Sequence, residues 1–283
     1  MHKFSIGLMA VMILFSPVPA QAIESLFLEK APGIITEEGN RLPLESVRPG
    51  LTTKIMSHTA ISDNCDANVL KISIYYPQNT GNEKVDQELE KAVKSTFDTQ
   101  TAEVTTFFCD KEFCGTASCD EWSSDRSFAV YAPSSDYLSV LFHEASFTGG
   151  AHGNSIFEVM NFNLKTSEKI TLKDIFPDTD SSVEQYWNYV YAKWCAENGY
   201  KFPLHFSPVE GGCNTDDPEN PRNYDGAKTL DDLGRLVFTP KGVTLVLGPY
   251  ESGSYVTGDQ YLDIPKEDMI KMGASPVFWE SAK

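Results

Sequence analysis

The chain has 283 residues, of which 40 are acidic and 23 basic, giving a formal net charge of −17 at pH 7. This charge argues against nucleic acid and anionic lipid as partners, because both present negatively charged phosphates. It suits solubility and fast association with a basic protein.

The first segment has the pattern of an export signal. A basic start precedes an apolar core over residues 6–15 and a small-residue cleavage site that ends at Ala22. We therefore expect a signal peptide over residues 1–22 and a periplasmic or secreted mature chain. No later run approaches about 18 uninterrupted apolar residues, so no stable membrane insertion is expected.

The cysteines predict disulfide-stapled loops, because an even count in an exported chain favours disulfides. Local spacing favours a bridge between the fifth and sixth cysteine. The other four would tie the first to the 109–119 insert and close one bridge within that insert. Zinc binding by the insert is the alternative, although the usual C-x₂-C spacing is absent. The six are Cys65, Cys109, Cys114, Cys119, Cys195 and Cys213.

The N-terminal half, residues 52–150, follows an extended lead-in over residues 23–51. Val69–Tyr76 alternates apolar side chains on one face and is predicted to be a strand. Apolar residues then recur at spacings of three and four from Val85 to Phe97, which predicts an amphipathic helix. The 108–125 insert shows little periodicity and is predicted to be a surface loop.

Three strand-like runs come next, over residues 127–132, 137–147 and 154–164. Residues 133–136 provide turn chemistry between the first two runs. The Gly149–Gly153 segment would join the second and third as a hairpin loop. These runs predict an antiparallel meander.

The C-terminal half, residues 151–283, contains a second predicted helix. Ser181 and Glu184 form a capping box at its start, and Gly199 is a natural stop after it. Residues 200–227 are rich in Pro, Asn, Asp and Gly and are predicted to be a long loop.

The last segment predicts short strands at Leu236–Thr239, Val243–Leu247 and Tyr255–Ile264. Pro265 is expected to start a final helix that ends near Gly273. The whole pattern predicts an α+β fold, in which two main helices pack on antiparallel meander sheets. We expect the two halves to form one continuous globular unit.

Catalytic patterns are weak in this chain. His143 and His152 could meet across the hairpin and hold a metal, but a third ligand is not evident, so no metal or cofactor is predicted. A Gly-x-Ser-x-Gly nucleophile elbow is absent. Acidic residues are plentiful, but no spacing singles out a pair for sugar hydrolysis. These observations favour binding over catalysis.

The glycine-rich hairpin loop and the aromatic segment after Leu247 supply the candidate binding residues. Glycine is needed where φ is positive or where another backbone comes close, so the loop is either a tight hairpin or a ligand loop. Tyrosines often anchor interfaces, and a role as core residues at strand ends is the equal alternative. The candidates are Gly149, Gly150, His152, Tyr250, Glu251 and Tyr255.

Three segments carry a resemblance to a known family: Phe147–Gly153, Asn161–Leu164 continued by Lys169–Phe176, and Gly248–Glu251 through to Pro265. They resemble the extracellular domain of RsiV-type anti-sigma factors, which sense lysozyme. The same domain accompanies the catalytic domain of the peptidoglycan deacetylase PdaC. The resemblance covers roughly residues 52–275.

This resemblance implies an α+β fold and a non-catalytic role at the cell envelope, in a domain of largely unknown function. In the anti-sigma branch the domain is a receptor for lysozyme, a basic protein, which the acidic charge here suits. The chain differs from that branch in its expected cleavable signal and its six cysteines.

The leading hypothesis is a periplasmic binding module for an envelope component, such as peptidoglycan fragments, or for a basic cell-wall hydrolase such as lysozyme. The alternative is a cell-wall glycan hydrolase or deacetylase that acts through acidic residues and His143 or His152. A structural or immunity-type protein with one dedicated partner is the third hypothesis.

Overall fold

The computed structural model describes most of the chain after residue 48. The described residues are 34–35, 41–42, 49–61, 69–107, 121–148, 152–177, 179–198, 235–249, 255 and 258–280. The side chains of all six cysteines lie outside this part, so the predicted disulfide pairing stays a prediction.

A six-stranded sheet forms the centre of the described fold. It follows a short antiparallel pair, β1 (Ile34–Ile35) with β2 (Arg41–Leu42). Its strands are neighbours in chain order. They are β3 (Thr52–Ile61), β4 (Val69–Gln78), β5 (Glu121–Ser134), β6 (Tyr137–Phe147), β7 (Asn154–Asn163) and β8 (Glu168–Lys169).

The predicted meander is confirmed for β5, β6 and β7, which pair antiparallel. The expectation of purely antiparallel sheets is wrong at one place, because β4 and β5 pair parallel. The helix α1 (Glu83–Phe107) lies between these two strands in the chain. A crossover helix of this kind returns the chain to the starting edge, so that the next strand runs parallel.

Strand β3 was not predicted from the sequence. It pairs with β4 over ten residues at the edge of the sheet. Its described side chains, from Thr52 to Thr59, are all exposed or half-buried. A strand without a buried face leaves no alternation of apolar and polar residues to detect.

Helix α1 covers one face of the six-stranded sheet. Asn82 caps its start, where the Asn82 Oδ1 accepts hydrogen bonds from the backbone N–H groups of Lys84 and Val85 at 3.0 and 3.3 Å. The predicted apolar stripe is buried, since Leu89 and Val93 share a core cluster with β4, β5, β6 and β7. The helix extends ten residues beyond the predicted Phe97.

A three-stranded antiparallel sheet lies on the opposite side and packs against the remaining helices. Its order is β11-β10-β9. The elements in chain order are α2 (Leu172–Ile175), α3 (Thr179–Asn198), β9 (Leu236–Thr239), β10 (Gly242–Leu247), β11 (Gln260–Pro265), α4 (Lys266–Lys271) and a 3₁₀ turn (Pro276–Phe278). Side chains of α3, α4, β9, β10 and β11 form one buried cluster.

Several boundaries differ from the sequence prediction. Strand β5 begins at Glu121, inside the stretch 108–125 that was predicted to be a surface loop. Ser181 lies inside α3 and is not its cap, because the helix already includes Thr179. Tyr255 lies outside β11, which begins at Gln260. A tight turn separates them, in which the Gly258 N–H donates to the Tyr255 carbonyl at 3.1 Å and Gly258 has φ +64°. Pro265 caps α4 as predicted.

A buried polar pair joins the two sheets. Ser139 on β6 donates a short hydrogen bond to the side-chain oxygen of Asn161 on β7. The Asn161 amide donates to the Leu236 carbonyl at 2.9 Å, and the Phe238 N–H donates to the Ser139 hydroxyl at 3.0 Å. Both backbone groups belong to β9, the edge strand of the small sheet. Ser139 and Asn161 therefore provide hydrogen-bond partners for backbone groups of β9 that would otherwise be buried unpaired.

We predict that Asn161→Ala destabilises the protein by about 1–3 kcal/mol for each buried group it leaves unsatisfied. Urea unfolding followed by circular dichroism would measure the loss. Asn154→Ala, at the exposed start of β7, is the control and should change stability by less than about 0.5 kcal/mol. An equal effect of the two substitutions would contradict the role of the pair.

A second prediction concerns Tyr186 on α3, which is fully buried. Within the described part of the chain its hydroxyl has no hydrogen-bond partner, and burial raises its pKa. Because an unsatisfied buried hydroxyl costs free energy, Tyr186→Phe should leave stability unchanged or raise it by up to about 1 kcal/mol.

Tyr189→Phe is the matched control for this prediction, since the Tyr189 hydroxyl donates to Asp268 at 2.8 Å. Its loss should lower stability by about 0.5–1.5 kcal/mol. Thermal unfolding of both variants would test the pair, and a destabilised Tyr186→Phe protein would show that its hydroxyl has a partner.

Candidate binding site at the β6–β7 hairpin

The last residue pair of the hairpin between β6 and β7 is Ser146 with Asn154. A Cβ atom on Gly153 would lie 2.8 Å from the Ser146 carbonyl oxygen, closer than real Cβ contacts. Close approach of backbone therefore explains this glycine of the motif. Gly149 and Gly150 lie outside the described residues.

Two of the predicted binding residues meet at this end of the hairpin. The rings of His152 and Tyr255, more than a hundred residues apart in the chain, stack with centroids 3.8 Å apart and an interplanar angle of 18°. His152 is exposed and Tyr255 is half-buried. The stack presents aromatic surface to solvent beside the loop. The other two candidates of this segment, Tyr250 and Glu251, lie outside the described residues.

A hydrogen-bonded chain supports the stack from the sheet side. The His143 Nε2 lies 2.7 Å from the Ser155 hydroxyl, which in turn donates to Asp259 at 2.9 Å. The second Asp259 oxygen lies 3.6 Å from the same Nε2. This chain connects β6 and β7 to the segment that follows Tyr255.

The geometry of the hydrogen-bonded chain His143–Ser155–Asp259 orients Ser155 without activating it as a nucleophile. A carboxylate only accepts hydrogen bonds, so the serine proton points at Asp259 and the imidazole must donate to the serine oxygen. A nucleophilic serine needs an imidazole that accepts its proton, with a carboxylate on the far ring nitrogen. Here the Asp259 carboxylate and Ser155 share one nitrogen of His143, so the arrangement fits a support.

Aromatic packing completes the support. The ring of His143 stacks on Phe157 at 4.7 Å, and Phe157 meets the exposed Tyr261 edge-on at 6.2 Å. Burial of the hydroxyl, with the negative charge of Asp259, raises the pKa of Tyr261 to about 12. The Tyr261 hydroxyl is therefore neutral, and a hydrogen-bond donor, throughout the physiological pH range.

Ser155 and Asp259 were missed by the sequence analysis. Neither belongs to a motif, and 104 residues separate them along the chain. The register of β6 with β7 places Ser155 opposite Ala145, close to His143. No sequence pattern indicates that Asp259, just before β11, is the other partner of Ser155.

A second polar cluster lies under α1, where Arg126 is almost fully buried. Its guanidinium pairs with Glu158, lies 3.9 Å from Glu144 and sits 4.5 Å above the ring of Phe142. Glu144 also accepts a hydrogen bond from Gln100 at 2.7 Å. One buried cation thus contacts both carboxylates, of which Glu144 is largely buried and Glu158 is exposed.

Neither a metal site nor a membrane span emerges from the residues that the structure describes. Among them, no three His, Cys, Asp or Glu side chains are grouped to hold a metal ion. Their helices are also too short or too polar to cross a membrane. His143, one of the two histidines considered as metal ligands, is engaged by Ser155 and Asp259.

Comparison with known proteins gives a partial family match. Residues 63–155 match the family model described as deacetylase PdaC. This segment includes β4, α1, β5 and β6. A search of curated proteins finds no match.

Two solved structures share the fold. A DUF3298 family protein from Pseudomonas aeruginosa PAO1 is 16% identical with a TM-score of 0.52, and a DUF3298 member from Bacteroides fragilis NCTC 9343 is 15% identical with a TM-score of 0.50. Each comparison covers 81% of this chain and 95% of the other. The chain therefore has the fold of DUF3298 proteins, and identities this low say nothing about its ligand.

We predict that Asp259→Ala loosens the His152–Tyr255 stack. Without the Asp259 carboxylate, Ser155 and His143 no longer hold the segment after Tyr255 against the sheet. In the intact protein the Tyr255 ring current should shift the His152 ring protons upfield in the NMR spectrum. In the variant these resonances should move toward free-histidine positions. Asp263→Ala, an exposed change on β11, is the control and should leave them in place, and an unmoved stack in Asp259→Ala would contradict the support.

Proposed function

We propose that this protein is a non-catalytic binding module of the cell envelope, with its site at the hairpin end. The observation that carries the proposal is the His152–Tyr255 stack, an aromatic pair at the hairpin end, beside the hydrogen-bonded chain from His143 through Ser155 to Asp259. Rigid aromatic side chains are frequent anchors of interfaces. Gly149, Gly150, Tyr250 and Glu251 belong to the same proposed site.

The proposed partner is an envelope component or a basic cell-wall hydrolase such as lysozyme. The net charge of −17 supports a basic protein, which such a field would attract and steer. The sequence resemblance to the RsiV-type ectodomain supports lysozyme in particular. This function requires the periplasmic or secreted location that the signal pattern predicts.

A cell-wall glycan hydrolase or deacetylase is the competing proposal. The one observation in its favour is the match of residues 63–155 to the deacetylase PdaC model. Against it, the described polar clusters engage both His143 and the Glu144–Glu158 pair in contacts with other side chains. A free base or nucleophile has no place in either cluster.

Calorimetric titration of the mature protein with lysozyme tests the proposal. We expect binding that weakens as salt is raised, because the attraction is electrostatic. Replacing both stacked rings, His152→Ala with Tyr255→Ala, should weaken binding about tenfold or more. Glu168→Ala, on the short edge strand β8, is the control and should bind normally.

Two results would overturn this proposal. Absence of heat with lysozyme at micromolar protein would remove the lysozyme version. Turnover of purified peptidoglycan that disappears in His152→Ala would replace the binding role with the enzyme.

A further inference from the structure

Among the described residues, the small sheet covers part of the six-stranded sheet's face opposite α1, where Val237 and Val246 pack with Leu141 and Phe157. Strand alternation places alternate side chains of β3 to β7 on this face, away from the core under α1. The register aligns Ser57, Ser73, Asp125, Ala145 and Ser155 in one row across five strands. All five are exposed or half-buried.

A second row runs beside the first, nearer the hairpin end of β6. It contains Thr59, Lys71, Ser123 and Phe147, again exposed or half-buried. The two rows together present hydroxyl groups, one carboxylate, one ammonium group and one aromatic ring. We call this surface the hydroxyl face.

The centre of the hydroxyl face is a small polar constellation. The Ser73 hydroxyl hydrogen-bonds to Asp125, and the Lys71 ammonium attracts the same carboxylate. Burial raises the pKa of Asp125, while Ser73 and Lys71 oppose that change. Asp125 is itself exposed, so its carboxylate is accessible to a ligand while Ser73 and Lys71 lie beside it.

Size and charge limit what this face can bind. Five strands span about 19 Å, and the rows down to the level of His143 add about 13 Å, an area on the order of 250 Å². A stable protein interface needs about 800 Å² on each partner. The two rows themselves carry one lysine and one aspartate and so no net charge, although the chain as a whole carries −17. A small neutral ligand fits better than a basic protein.

We propose that the hydroxyl face binds a short neutral oligosaccharide. Serine and threonine hydroxyls both donate and accept, and so match sugar hydroxyls, while the Asp125 carboxylate accepts two of them. The Phe147 ring offers apolar surface to the C–H face of a sugar. The row ends at Ser155, so the face is continuous with the hairpin site, and this inference rests on the proposed function as a binding module.

The test is an NMR titration of the full mature chain with the tetramer of N-acetylglucosamine. Amide shifts should map to β3, β4 and the start of β5. Asp125→Ala should weaken binding about tenfold or more. Asp263→Ala, on the small sheet, should bind as the parent does.

A second variant guards against misfolding of the first. Ser57→Leu lies on the exposed edge strand, where the larger apolar side chain removes a hydroxyl and blocks the row, and it should weaken binding about as much as Asp125→Ala. Unchanged thermal unfolding of both variants would show that the fold is intact.

The outcomes separate this inference from the proposed function. Lysozyme binding without any tetramer shifts at millimolar sugar would overturn the hydroxyl face alone. Tetramer shifts that persist in Asp125→Ala and Ser57→Leu, or that map away from β3 and β4, would also overturn it. Binding of neither probe would overturn the hydroxyl face together with the lysozyme version of the proposed function, and tetramer binding lost in both variants would support the face.

Discussion

The described fold depends on how the edge of β9 is satisfied. An edge strand that is pushed against another sheet carries backbone groups with no ladder partner, and burying them unpaired is costly. Ser139 and Asn161 solve this by bonding the Leu236 carbonyl and the Phe238 N–H from the larger sheet. The position of the small sheet follows from this contact, and with it the position of the segment that carries Tyr255 and Asp259.

The motif residues that mark the family resemblance mostly have structural roles. Asn161 holds β9, and Asn163 accepts two backbone hydrogen bonds in the turn after β7. Asp174 accepts from the backbone and hydroxyl of Thr171 and so caps α2. Gly153 permits the close hairpin. These residues specify the scaffold, which is why they agree with a shared fold and leave the ligand open.

The sequence predicted β4 and the α1 stripe, whose patterns reflect one buried face, and it also predicted the longer apolar runs of β6 and β7. It failed where structure depends on long-range pairing. Strand β3 has no buried face that would produce an alternating pattern. The parallel pairing of β4 with β5 depends on the crossover through α1, which no local pattern reveals. Tyr255 was placed in a strand because its neighbours favour β structure, whereas Gly258 turns the chain before β11. No pattern in the sequence indicates the contact between Ser155 and Asp259, because the two residues are far apart in the chain and belong to no motif.

The two histidines of the hairpin differ in their surroundings. His143 is half-buried and its Nε2 is engaged by Ser155 and Asp259, so its ring is held by contacts between β6, β7 and the residue that precedes β11. His152 is exposed and stacks on Tyr255, four residues before Asp259. In the proposed binding module the first histidine therefore belongs to the scaffold, and the second belongs to the surface that a partner would meet.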